Sequence, residues 1–203
     1  MPRFPTPVVV VSKCLGFAAC RYDGAVVEDG FVARLDHHAR LVTVCPEVEI
    51  GLGVPRDKIR MVGAGADRRL VQPATGRDLT DAMRAFAAGF LDRLGEGAVD
   101  GFILKSRSPS CGVRDCKVFV DWETEDTLDL GPGVFARTVA ELWPGVPVED
   151  EERLTDRSVL IDFLSRLYDR ARLREGISKG VPPQPPFPPQ LADIGTHKQK
   201  GGP

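Results

Sequence analysis

Short apolar runs alternate along the chain with longer stretches in which apolar residues recur every three to four positions. The runs are rich in β-branched residues, which is typical of buried strands in a parallel sheet. They lie at residues 8–12, 41–44, 101–105 and 146–149. The stretches with helical spacing lie at residues 29–39, 78–94, 132–143 and 155–174. This alternation predicts an α/β fold, a doubly wound and mostly parallel sheet flanked by helices in the Rossmann-like manner.

Two further features complete the predicted organisation. Residues 59–62 and 69–72 are expected to pair as edge strands around a glycine-rich turn. Residues 1–175 then form a single domain. Residues 176–203 hold seven of the 17 prolines and predict an extended, disordered tail. Such a tail is usually a solvated end, and the alternative is a ligand for an aromatic groove of a protein partner.

The overall charge and hydropathy exclude two classes of protein. Lys and Arg number 27 against 29 Asp and Glu, so the chain lacks the excess of basic residues that a dedicated nucleic-acid binder needs. A small nucleobase remains possible as a ligand. No apolar run approaches the roughly 20 residues that span a bilayer, and the start of the chain has no signal-peptide pattern. We therefore expect a cytoplasmic protein that binds no membrane.

Five cysteines are the strongest chemical signal in the sequence. In the cytoplasm thiols stay reduced, so metal ligation, catalysis or simple burial are more plausible than disulfides. Cys14, Cys45 and Cys111 each follow a predicted strand, and parallel strands would bring them to one sheet edge, where ligands bind. Three thiolates suit zinc or an iron–sulfur cluster with one open, catalytic position. The alternative is that all three are buried fillers, since no CxxC pair is present.

The local sequences around these three cysteines make the functional prediction more specific. They read SKCLGFAACRYDG around Cys14, CPEVEIGLGVPR from Cys45, and LKSRSPSCG up to Gly112. A fourth stretch, VPVEDE, follows at residues 146–151. In order and spacing these blocks resemble the thiouracil desulfurase family of bacterial proteins, and the resemblance covers about residues 8–170.

The resemblance implies a cofactor, a reaction and a set of residues. It implies a [4Fe-4S] cluster held by Cys14, Cys45 and Cys111, with one iron left open for the sulfur of a thiolated pyrimidine base or nucleoside. It implies that Glu47 is the catalytic carboxylate and Ser108 the catalytic serine. The implied reaction is desulfuration of the thiouracil-to-uracil type without redox change. Two other readings stay open: a zinc-dependent hydrolase that uses the same thiols, and a metal-free thiol protein that binds a ligand or senses redox state.

The remaining thiols and a lysine receive weaker predictions. Cys20 and Cys116 fall outside the shared ligand positions, and we interpret them as packing or incidental thiols. Lys105 ends the third predicted strand. It either offsets the negative charge of a thiolate-bound cluster or is a solvated strand end.

Four other polar residues could belong to a site or to the surface. Asp23 either lines the pocket or forms an Asp-Gly turn. Arg56, which follows a proline, is expected in a surface turn. His37 and His38 are adjacent, and adjacent residues on a helix do not face each other, so a solvated face is favoured over a metal site.

Overall fold

The computed structural model describes residues 4–176 and 186–193. Within these residues the chain forms nine strands and five α-helices. In chain order they are β1 (Val8–Ser12), α1 (Gly30–Leu35), β2 (Arg40–Val44), α2 (Pro46–Glu49), β3 (Arg60–Val62), β4 (Arg69–Gln72), β5 (Arg77–Asp78), α3 (Thr80–Leu94), β6 (Gly101–Leu104), β7 (Cys116–Phe119), β8 (Thr127–Gly131), α4 (Val134–Leu142), β9 (Val148–Asp150) and α5 (Arg157–Arg174).

The central sheet has the strand order β2-β1-β6-β9, and all its neighbouring strands are parallel. All four predicted apolar strands are therefore found in one sheet. The last begins two residues later than expected, at Val148. Pro147 accepts a hydrogen bond from the Phe102 amide at 2.9 Å but has no N–H to donate, so the ladder becomes regular only after it.

Helices cover both faces of this sheet, which confirms the doubly wound arrangement. Val8 and Val10 belong to the same apolar cluster as buried residues of α3 and α4. Val9 and Val11 face the other way and belong to a cluster with α1 and α5. Because successive side chains of a strand point to opposite faces, the uninterrupted valine run is what a strand buried on both sides requires.

Helix boundaries differ from the expected ones by a few residues, most clearly at α1. It ends at Leu35 rather than near residue 39. The reason is that β2 already begins at Arg40, whose amide donates to the Pro7 carbonyl at 2.7 Å. Asp156 is the N-cap of α5, and its carboxylate accepts a hydrogen bond from the Ser158 amide at 2.7 Å. At α3 the N-cap residue is Leu79, and Asp78 just before it accepts from the Thr80 amide at 2.9 Å.

A second sheet, with the order β5-β4-β3-β7-β8, was not expected as a whole. The antiparallel pairing of β3 with β4 agrees with the prediction. Their placement as edge strands is wrong. Strand β3 lies in the middle of the sheet with β7 parallel on its other side, and β4 pairs with β5 on its other side. Met61 and Leu70 pack into the α3–α4 core, so the second sheet shares that core with the first.

Part of the proline-rich segment contacts the domain. Phe187 and Leu191 are buried in the α1–α5 cluster, and the ring of Phe187 lies 6.3 Å from that of Tyr168. Residues 177–185 and 194–203 of the expected tail lie outside the described residues. The domain boundary near residue 175 stays a prediction.

None of the helices in residues 4–176 and 186–193 is both long and apolar enough to cross a membrane.

Candidate active site

A cavity of about 520 Å³ opens at the carboxyl-terminal edge of the central sheet. Its walls come from the segments that follow β1, β2 and β6, together with the segment that precedes β3. This is the edge at which parallel α/β sheets bind ligands, because the loops that leave the strands diverge there.

Cys14, Cys45 and Cys111 all line this cavity. All three are free thiols and are buried. Cys14 lies in the turn that leaves β1, where the Lys13 amide donates to the Val44 carbonyl at 2.8 Å. Cys45 directly follows β2 and precedes the first residue of α2. The fold thus brings together three thiols that are separated by 31 and 66 positions in the sequence.

Cys111 is held by a tight turn after β6. The Gly112 amide donates to the Ser108 carbonyl at 2.8 Å, and the Cys111 amide donates to Ser108 Oγ at 3.1 Å. The hydroxyl of Ser110 lies 3.7 Å from Cys111 Sγ. The turn therefore presents the thiol together with both serine hydroxyls.

Burial favours the protonated form of two of these thiols, Cys14 and Cys111, in the absence of a metal. The pKa of Cys14 is raised to about 11, with burial as the largest cause and the neighbouring Cys45 as the second. Burial likewise raises the pKa of Cys111 well above its usual range. Lys105 and Arg21 act in the opposite direction on the pKa of Cys14. Because thiolates are the ligating form, metal binding at this site must release protons.

The other two cysteines differ from each other in position. Cys116 lies on β7 and is buried in the apolar core. Cys20 is also buried, but it lines the cavity, and its carbonyl oxygen lies 3.5 Å from the thiol of Cys45. The interpretation of both as packing thiols stays a prediction.

The donor set suits a cluster rather than a single ion. Among the described residues, no group of three or more His, Cys, Asp and Glu side chains is close enough together to hold one metal ion. Three thiols on the wall of one cavity are the soft donors that an iron–sulfur cluster takes. A cluster spreads its cysteines over several metal atoms, so its ligands lie further apart than those of one ion.

Glu47 lies in the first turn of α2 and lines the cavity close to the serines. Its Oε1 accepts a hydrogen bond from Ser110 Oγ at 2.8 Å and a longer one from Ser108 Oγ at 3.4 Å. The two serine hydroxyls are 3.0 Å apart. The structure thus places Glu47 and Ser108 in one hydrogen-bonded group together with Ser110, and the catalytic roles of Glu47 and Ser108 stay predictions.

Ser110 and Arg56 are the two residues of this group that the sequence analysis missed. Ser110 is buried and adjacent to a predicted ligand, and its place in the Ser-Pro-Ser-Cys run was an available signal. Arg56 is not in a surface turn, so that prediction is wrong. Its side chain is only 3% exposed and forms an ion pair with Glu47. No local pattern reveals this contact, because it depends on how the loop after α2 folds back.

The charged lining of the cavity is mostly basic. Glu47 is the one acidic side chain among the described lining residues, and six lining residues are cationic. These are Lys13, Arg21, Arg56, Lys58, Lys105 and Arg107. Such a lining offsets the negative charge that three thiolates would bring.

Lys105 lies inside this lining rather than at a solvated strand end. Its ammonium group pairs with the buried carboxylate of Glu151 and donates to Ser106 Oγ at 2.7 Å. Glu151 in turn accepts a hydrogen bond from the Ser106 amide at 2.8 Å. This network fixes a positive charge at the end of β6, next to the cysteine turns.

Asp23 and the histidine pair lie outside the cavity lining. Asp23 is exposed, and its Oδ1 accepts from the Ala25 amide at 3.0 Å, which is the geometry of a turn. That hydrogen bond is the main cause that lowers the pKa of Asp23, with Arg21 contributing. His37 is exposed and His38 is half-buried where α1 ends.

Comparisons with known proteins concern the family and the fold of the chain. A sequence model of the family described as 2-thiouracil desulfurase matches residues 9–151, which is more than half of the chain. The uncharacterized protein YbbK of Bacillus subtilis (strain 168) is 32% identical over 110 residues, which cover 52% of this chain and 73% of that protein. A solved structure described as [4Fe-4S]-dependent thiouracil desulfidase TudS is 24% identical, with a TM-score of 0.60. That match covers 77% of this chain and 99% of the solved one, and it shows a shared fold.

Proposed function

Because the chain belongs to the 2-thiouracil desulfurase family, we propose that it removes sulfur from a thiolated pyrimidine base or nucleoside with the help of a [4Fe-4S] cluster. One observation supports this proposal above all others. Three buried thiols from three strand ends share one cavity with a carboxylate and two serine hydroxyls. Desulfuration needs these parts, a soft site for sulfur and groups that move protons.

Cys14, Cys45 and Cys111 would hold the cluster. When bound through three cysteines, a [4Fe-4S] cluster supplies an open iron that acts as a soft Lewis acid toward sulfur and makes the attached carbon more electrophilic. The basic lining would offset part of the charge of the three thiolates. Lys105 contributes by lowering the pKa of Cys14, while its partner Glu151 acts in the opposite direction.

Side chains of the protein would carry out the proton transfers. Replacing sulfur by oxygen consumes one water and releases hydrogen sulfide, so no electron is gained or lost. Glu47 would accept a proton of the attacking water at Oε1, the oxygen that faces the serines. The hydroxyls of Ser110 and Ser108 are 3.0 Å apart and would relay a proton between this oxygen and the departing sulfur or the ring.

Turnover by anaerobically reconstituted protein tests this proposal. The protein is incubated with 2-thiouracil, 4-thiouracil and the matching thionucleosides, and the products are separated by chromatography while sulfide is measured. We expect one uracil or uridine and one sulfide per substrate consumed, with no added reductant. The Cys116→Ser variant is the matched control, because Cys116 is a buried thiol that does not line the cavity. Protein that contains iron but converts none of these substrates would contradict the proposed reaction.

A reduced compartment suits this chemistry. All five cysteines are free, and an oxygen-sensitive thiolate site is best preserved where thiols stay reduced. We therefore propose that the protein works in the cytoplasm.

A further inference from the structure

We infer that Arg56 is a positioning residue, which holds Glu47 so that one carboxylate oxygen alone faces the serine hydroxyls. The inference rests on the proposed desulfuration and adds a residue to its machinery. Arg56 lies nine positions after Glu47, beyond the turn that follows α2. Its guanidinium contacts Oε2 of Glu47, whereas the serine hydroxyls contact Oε1.

The three nitrogens of the Arg56 guanidinium donate to groups on three separate segments of the chain. Nε and Nη2 both donate to Glu47 Oε2, at 2.8 and 2.6 Å. Nη1 donates to the carbonyl oxygens of Cys20 and Gly53, both at 2.9 Å. The backbone is tied as well, since the Arg56 amide donates to the Tyr22 carbonyl at 3.0 Å.

These contacts divide the two oxygens of Glu47 between two tasks. Oε2 accepts two hydrogen bonds from Arg56, whereas Oε1 accepts from Ser110 and Ser108. Rotation of the carboxylate would break charge-assisted hydrogen bonds on both sides at once. Arg56 therefore fixes which oxygen is available to exchange a proton, and where that oxygen lies.

Only an arginine fits all of these partners. A planar guanidinium directs donors to the carboxylate and to the two carbonyls at the same time, whereas a lysine offers one nitrogen at the end of a flexible chain. The side chains of Arg56 and Glu47 are 3% and 13% exposed. A carboxylate so far from water needs a partner charge, and loss of that partner would allow Glu47 to turn away.

A double-mutant cycle in turnover tests this inference. We expect Arg56→Met to lower kcat about 10²-fold, the loss that follows a misplaced catalytic group, with little change in KM or iron content. In a Glu47→Gln background the same change should lower kcat by less than about threefold, because residues that act as one unit are not additive. Arg56→Lys should recover part of the loss. Arg172→Met, which removes an ion pair with Asp169 and a hydrogen bond to the Pro186 carbonyl outside the cavity lining, should leave turnover unchanged.

Thermal unfolding of the metal-free protein gives a second cycle that is independent of turnover. Arg56→Met should lower Tm by about 5 °C or more, since it leaves a carboxylate unpaired, and the double variant should lose clearly less than the sum of the single losses. Arg56→Lys provides the same comparison if Arg56→Met does not fold. Additive effects in both cycles would overturn the role of Arg56. Wild-type protein that has no turnover would instead overturn the proposed function, while the thermal cycle would still report on the Arg56–Glu47 pair.

Discussion

Glu47, Ser108 and Ser110 form one hydrogen-bonded group in the cavity, and their contacts indicate how proton transfer would be shared among them in the proposed reaction. Ser108 Oγ accepts from the amides of Ser110 and Cys111, at 3.3 and 3.1 Å. Its hydroxyl therefore stabilises the cysteine turn in addition to facing Glu47. Ser110 makes the shorter contact with Glu47, at 2.8 Å, which makes it the more direct proton partner of the carboxylate.

Replacement of Glu47 separates proton transfer from cluster binding. Transfer by one positioned group contributes about 10²–10⁴ in rate, so Glu47→Ala should lose turnover on that order. Iron content and colour should stay near normal, because no thiol is removed. Ser108→Ala and Ser110→Ala should show the same pattern with smaller losses, since a water can replace a hydroxyl. Full turnover in any of the three variants, measured together with iron content, would remove that residue from the mechanism.

Among the elements, α4 has an indirect part in the site. The amide of Val134 donates to the Pro109 carbonyl at 3.1 Å, and that of Ala136 donates to the Ser110 carbonyl at 3.2 Å. The start of the helix thus holds the turn that carries Ser110. Gly133 allows this approach, because a Cβ there would lie 2.6 Å from the carbonyl carbon and oxygen of Ser110.

Gly133→Ala should therefore damage the site through the backbone. The contact is closer than any real Cβ makes and involves main-chain atoms that cannot rotate away, so the Ser110 turn must shift. We expect a loss of about 1–3 kcal/mol in the free energy of unfolding, together with lower turnover. Gly89→Ala, within α3, is the matched control and should be neutral or stabilising by about 0.5–1 kcal/mol. Equal effects of the two changes in denaturant titration and turnover would show that the close approach is unimportant.

The strands of the central sheet were predictable, whereas of the second sheet only β3 and β4 were. Val8–Ser12 is buried on both faces, and such runs stand out in a sequence. Strand β8 (Thr127–Gly131) is exposed over most of its length, and β7 has only four residues. The two leucines of β8 are both exposed, and β7 is too short for its alternating pattern to be distinctive. The three thiols were predictable because strand ends share an edge, but Arg56 was not, since its contact depends on the path of a loop.

At the scale of the whole molecule, the buried thiols link the stability of the metal-free protein to pH. Burial raises the pKa of Cys14 from 9.0 to about 11 and that of Cys116 to about 12. A raised pKa means that the folded state disfavours the thiolate. The stabilisation is complete below the pKa of the unfolded chain and is lost as pH rises toward that of the folded protein.

Unfolding titrations of the metal-free protein at several pH values test this linkage. The free energy of unfolding should fall progressively between about pH 9 and pH 11. Cys116→Ser and Cys14→Ser should each reduce the slope of that fall, because each removes one thiol whose pKa is raised. A slope that stays the same in both variants would mean that other groups govern alkaline unfolding.

The most direct measurement of the central claim is the iron and sulfide content of the anaerobically reconstituted protein. It should be made for wild-type protein and for single Ser variants of Cys14, Cys45, Cys111 and Cys116. We predict about four iron and four sulfide per chain, with broad absorption near 400 nm, for the wild type and Cys116→Ser, since one [4Fe-4S] cluster takes cysteine thiolates as ligands. The three cavity variants should lose most of this iron and absorption. Wild-type protein without iron, or cavity variants that keep a full complement, would contradict the assignment.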